Sequence, residues 1–181
     1  MSQLTIYAES KPAHPLFDST DYELIRNELD RAGVRFERWN ADRPVTDDAT
    51  SEDIIAAYQR EIDRLVAEQG YRTWDVVSMN PDHLQKDEFR HKFLAEHTHG
   101  EDEVRFFVRG HGLFVMHIGD RVYALLCGKD DLVSVPANTR HWFDMGPNPV
   151  FTAIRLFNNP EGWVAHFTGD DIATRFPLLE N

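Results

Sequence analysis

The chain has 181 residues, 41% of them hydrophobic and 28% charged, the balance of a soluble globular protein that removes about 70% of its unfolded surface from water in one domain. Its formal net charge of -12, from 31 acidic against 19 basic residues, excludes a nucleic-acid partner, because phosphates are neutralised by clustered Lys and Arg. No run approaches the ~20 apolar residues of a membrane span, the start Met1-Ser2-Gln3-Leu4-Thr5-Ile6-Tyr7 lacks the basic leader and apolar core of a secretory signal, and a cytoplasmic location is expected.

Leu4-Thr5-Ile6-Tyr7 alternates as a strand. Thr20-Asp21-Tyr22-Glu23 reads as a capping box opening a helix with Tyr22, Ile25 and Leu29 on one face, ended by Gly33. Residues 34–39 alternate as a second strand. Thr50 to Asp53 resembles another cap, before an amphipathic helix of Ile54, Ile55, Tyr58, Ile62, Leu65 and Val66 closed by Gly70. Val76-Val77-Ser78-Met79 is a further strand, and a short helix is expected over 82–94. Its Lys86, Arg90, His91 and Lys92 alternate with Asp87 and Glu88 and read as a solvated face.

From Glu103 the runs 104–108, 113–118, 121–126, 132–135, 141–145 and 150–157 are short strands broken by Gly or Asn/Pro links. Strands this dense predict an antiparallel sandwich or barrel. The expected class is mainly β with flanking helices (α+β): N-terminal elements over 1–80 packed on a barrel core over 81–168, with a tail over 169–181, all in a single domain. The lone Cys127 lies in an apolar run, forms no internal disulfide and packs as a small hydrophobe.

Immediately before the first barrel strand stands His97-Thr98-His99-Gly100-Glu101-Asp102-Glu103, three metal-ligating side chains at HxHxxxE spacing. In extended backbone, i and i+2 share a face, so His97 and His99 reach one point. Gly100 permits a bend that returns Glu103 to it. His141, in Pro136-Ala137-Asn138-Thr139-Arg140-His141-Trp142, must arrive from another strand. One HxH pair among nine histidines is weak. The combination with a spaced Glu, Gly110 and a distal Pro-x-Asn-x-x-His is specific. The absence of thiolates suits Fe, Ni, Co or Mn. His14, His83, His91, His111, His117 and His166 read as structural or solvated, with His91 the first choice if a further imidazole supports the ligands.

These residues resemble the two cupin motifs. G-x5-HxH-x3-E-x6-G is matched by His97, His99, Glu103 and Gly110, with His91 at the opening glycine. G-x5-PxG-x2-H-x3-N is matched by Pro136 and His141, with Asp130, Asn138 and Met145 at its other positions. A closer resemblance, over nearly the whole chain, is to the bacterial acireductone dioxygenases of methionine salvage. It is carried by Gly33-Val34-Arg35-Phe36-Glu37-Arg38-Trp39, Asp87-Glu88-Phe89-Arg90, the segments 96–105 and 136–146, and Arg155-Leu156-Phe157.

The resemblance implies a cupin double-stranded β-helix, or jelly-roll barrel, with three His and one Glu holding one Fe2+ or Ni2+ per chain. It implies cleavage of the acireductone 1,2-dihydroxy-3-keto-5-methylthiopentene by O2. The iron form would give formate and 4-methylthio-2-oxobutanoate; the nickel form would give CO, formate and 3-methylthiopropanoate. Four protein ligands leave two positions of a six-coordinate ion for a chelating enediolate, which a closed tetrahedral zinc would not. Arg105, two residues beyond Glu103, either orients the substrate oxyanion or pairs on the surface with Glu101 or Asp102; the resemblance favours the first. Glu96 and Glu101 are candidates to accept the enediol proton or orient an imidazole. Phe93, Phe143 and Trp163 are expected to wall in the methylthio tail, and Arg155 to offer a second anion contact. The expected partners are acireductone and O2 alone, and the expected state is a monomer. A non-catalytic or isomerase-type metal-binding cupin is the alternative, against which stands the lack of any effector segment beside the barrel.

Overall fold

The computed structural model describes residues 1–159, 161 and 164–180. α1 (Tyr22–Arg31) begins where Asp21, in extended backbone, accepts the Leu24 N–H at 2.9 Å, and it buries Ile25 and Leu29. The cap is thus Asp21 rather than the expected Thr20, because the Asp21 N–H is already held by Ser19 Oγ and its carboxylate is left to serve the first turn. α2 (Ser51–Gln69) carries the expected reciprocal box between Thr50 and Asp53, and Gly70 ends it at φ 77°. α3 (Lys86–Leu94) starts later than residue 82, since the Asp82 and His83 N–H groups are both turned back onto Asn80.

The strands are β1 (Gln3–Ala8), β2 (Pro15–Ser19), β3 (Arg35–Arg38), β4 (Thr73–Met79), β5 (His97–Thr98), β6 (Glu103–Gly110), β7 (Gly112–Ile118), β8 (Arg121–Cys127), β9 (Asp131–Val135), β10 (Arg140–Asp144), β11 (Phe151–Phe157) and β12 (His166–Phe167). They form two antiparallel sheets, β12-β5-β10-β7-β8-β1-β2 and β3-β9-β6-β11-β4. The expected six strands of the barrel are all present, joined by β2, β5 and β12, which were not foreseen.

Between the sheets lie Leu4, Ile6, Phe107, Phe114, Met116, Leu125 and Cys127, alternate residues of their strands turned inward. α2 covers the outer face of the five-stranded sheet, where its Tyr58 lies 4.6 Å from Phe106 and Trp39, just after β3, lies 4.8 Å from it. Each such aromatic pair contributes about 0.5–1.5 kcal/mol beyond its area. The outer face of the other sheet, at Val115, Val122 and Trp142, is covered by Ile172, Ala173 and Phe176 of the C-terminal segment. No helix among the described residues is long and apolar enough to cross a membrane.

Three turn positions place the site. Asp130 and Asn138, where the cupin motif has glycines, hold φ of 74° and 63°, a left-handed region that Asp and Asn tolerate better than other side chains. Gly110, at φ 69°, passes so near β11 that a Cβ would lie 1.7 Å from the Val150 carbonyl oxygen. The Asn138 N–H donates to the His99 carbonyl at 2.8 Å, fastening the second motif to the first.

Candidate metal centre

His97 comes from β5 and His141 from β10, directly opposite one another in the antiparallel pairing. His99 follows β5 and Glu103 opens β6, so the chain must bend between them. Gly100 is not left-handed there. The bend is held by Asp102, which accepts the Tyr71 hydroxyl at 3.0 Å and the Ala137 N–H at 2.9 Å. Glu101 accepts the N–H groups of Asn158 and Asn159. The donor atoms of His97, His99, Glu103 and His141 then lie within 4.8 Å of one another, all four residues buried.

Each imidazole is oriented by a backbone carbonyl. Nδ1 meets Ala95 O at 2.7 Å in His97, Val164 O at 3.2 Å in His99 and Thr139 O at 2.8 Å in His141. A carbonyl only accepts, so Nδ1 carries the proton and a neutral ring presents a bare lone pair at Nε2. Yet the Nε2 atoms of His141 and His99 lie 2.7 and 3.3 Å from one oxygen of Glu103. Lone pairs converge on a carboxylate oxygen only around a positive charge, either a proton or a cation. Two neutral imidazole donors, a third ring and a carboxylate fit a divalent cation in that place.

The electrostatics of His97 and Glu103 agree. Burial, aided by the neighbouring His141, lowers His97 to about 4, so its ring is neutral at physiological pH. Burial also works to raise Glu103, but Arg105 foremost, with His141 and His99, holds its carboxyl well below the usual carboxylate range. His141 is penalised by burial and still raised, because Glu103 faces it. A neutral imidazole and an ionised carboxylate are the states that a metal ion requires.

A cavity of about 370 Å3 opens on His97, His99 and Glu103, walled by Phe93, Phe143, Arg105 and Arg155, and also by Lys92, Val164, Ala165 and Phe167. Arg105 Nε donates to Glu103 Oε1 at 2.8 Å, and its guanidinium lies 5.5 Å from the Phe143 ring centre. Arg155 stands opposite Arg105 in the β11–β6 pairing and is held by Asp75 at 2.8 Å. Two expected site residues turn elsewhere. Glu96 points to the other face of its sheet, because neighbours along a strand alternate, and there it meets His117 and Thr168. Glu101 is engaged with the 158–159 backbone. Trp163 lies outside the described residues. His91 is exposed on α3, and the buried histidine near the site is instead His117. Arg90, expected in solvent, clasps Asp144 of β10 at 2.8 and 3.1 Å.

A model of the ARD/ARD' family matches residues 3–165. The chain belongs to this family. It is 63% identical over 181 residues to an acireductone dioxygenase of Pseudomonas aeruginosa, covering all of both chains. It is 59% identical to one of Serratia proteamaculans, over 99% of this chain and all of that protein. Among solved structures, an acireductone dioxygenase from Bacillus anthracis with a cadmium ion in its active centre superposes with a TM-score of 0.80 at 31% identity, over 92% of this chain and 98% of that one. The ARD/ARD' assignment agrees with the double-sheet barrel and with the buried three-His, one-Glu cluster.

Proposed function

We propose that this chain cleaves the acireductone 1,2-dihydroxy-3-keto-5-methylthiopentene with O2 in methionine salvage. The observation that carries the reading is the convergence of His97, His99, Glu103 and His141 in an ARD/ARD' chain, with the first three lining a cavity. His97, His99, Glu103 and His141 would hold one Fe2+ or Ni2+ per chain. When bound, such an ion would supply Lewis acidity toward the oxygens of a deprotonated enediol.

The protein's own contribution is orientation and exclusion of water. The three carbonyl-bound Nδ1 atoms keep the imidazole Nε2 atoms aimed at one point. Arg105 keeps one oxygen of Glu103 to itself and leaves the other for the ion, and its guanidinium, beside the cavity, favours an enediolate over the neutral enediol. Arg155 adds a second positive group on the same wall. Phe93 and Phe143 form the apolar side that receives the methylthio tail. We take the protein to work as a cytoplasmic monomer, one cupin domain over 1–181.

The test loads the protein with Fe2+ or Ni2+, adds acireductone without oxygen, then admits O2 while enediol absorbance and products are followed. The expected result is metal-dependent decay, with formate and the keto acid from the iron form and CO from the nickel form. Acireductone left intact by both forms would remove the proposal. Size-exclusion chromatography with light scattering checks the monomer.

A further inference from the structure

The segment 164–168, whose Val164, Ala165 and Phe167 wall the cavity, is bound to the barrel in an unusual way. Val164 and Phe167 are 57% and 52% exposed, and β12 pairs with β5 through only two residues, so apolar burial contributes little to seating this segment. It nevertheless reaches two of the four ligand residues. Val164 O receives the His99 Nδ1–H, and the Phe167 ring lies 5.8 Å from that of His97.

The polar joint is at Thr168. Its N–H donates to Glu96 O at 3.1 Å, and its hydroxyl donates to Glu96 Oε1 at 2.8 Å while accepting the Asp170 N–H. Glu96 is 2% exposed. A carboxylate so far from water is retained only with its oxygens satisfied. The second oxygen, Oε2, meets His117 Nδ1 at 2.9 Å, and His117 Nε2 meets the half-exposed Glu9 at 2.8 Å. The cluster Glu9–His117–Glu96–Thr168 therefore ties four elements, the end of β1, β7, the start of β5 and the end of β12, on the face of the sheet opposite the ligands.

We infer that Glu96, His117 and Thr168 form a latch that seats the 164–168 segment across the cavity and so fixes the His99 imidazole for metal retention. These are positioning residues, acting through the segment rather than on substrate. The inference rests on the metal-site reading and not on the identity of the substrate.

The experiment uses full-length protein loaded with one equivalent of Ni2+ and measures transfer of that ion to a chromogenic chelator, alongside hydrogen exchange of the 164–168 amides. Loss of an outer partner to a metal-ligand array typically costs 10- to 100-fold in affinity. Thr168→Val is expected to release Ni2+ about tenfold faster and to lose protection at 164–168, whereas Thr168→Ser, which keeps the hydroxyl, behaves as wild type. His117→Phe is expected to match Thr168→Val; should it fail to fold, the exposed Thr168 pair decides alone. Wild-type release from Thr168→Val, or equally fast release from Thr168→Ser, overturns the latch. Failure of the wild-type chain to take up Ni2+ would instead count against the metal site itself.

Discussion

Arg105 illustrates how much one side chain settles here. Its Nε bond to Glu103 and its place over Phe143 and Phe114 require a planar, delocalised cation, which lysine does not supply. Arg105→Ala is expected to lower turnover of acireductone about 100- to 1,000-fold, and Arg105→Lys to recover only part of it, as oxygen-consumption kinetics would show. Full recovery by lysine would mean that charge alone matters. At this scale the four ligand residues were legible because imidazole and carboxylate at HxHxxxE spacing have few other uses. The neighbours were not: Glu96 and Glu101 sit beside ligands in sequence, and strand alternation and a local turn point them away. Asp130 and Asn138 show the converse, keeping the left-handed turns of the motif without its glycines.

At the scale of the element, α2 was read correctly from its cap, its apolar stripe and its closing glycine. Its contact with the sheet has a measurable consequence. Burial, with Asp130 nearby, pushes Tyr58 up to about 12, and burial with Asp102 does the same to Tyr71. In the unfolded chain a tyrosine ionises near 10, so between pH 10 and 12 the unfolded state binds fewer protons than the folded one and stability falls as pH rises. Each phenol contributes about 3 kcal/mol that is fully present below pH 10. Denaturant melts from pH 9 to 11.5 should show this loss, and Tyr58→Phe should flatten it by about half; an unchanged slope would mean that the phenol is not shielded. Of the elements missed from the sequence, β5 and β12 have two residues each, too few for a period of two to register, and β2, Pro15-Leu16-Phe17-Asp18-Ser19, opens on a proline and lacks apolar alternation. They exist because neighbouring strands supply their hydrogen bonds.

Across the whole molecule, the ligands come from segments nearly forty residues apart in the chain and are brought together by β5–β10 pairing, so the folded state alone binds the ion. Linkage then predicts that removing metal lowers the melting temperature. At free metal 100 times Kd the bound ion contributes about 2.7 kcal/mol, roughly 5 to 10 °C for a chain of this size. Scanning calorimetry of stripped and reloaded protein measures it, and equal melting temperatures would separate the metal from the fold. Residue chemistry and local spacing, which need only the covalent chain, sufficed for the barrel strands, two helix interiors and the four ligands. The cavity wall at Lys92 and 164–167, the outward turn of Glu96 and the partnership of His117 were decided by tertiary structure alone. Each depends on which strands pair and which face a side chain then meets, and distant hydrogen bonding leaves no periodic trace in sequence.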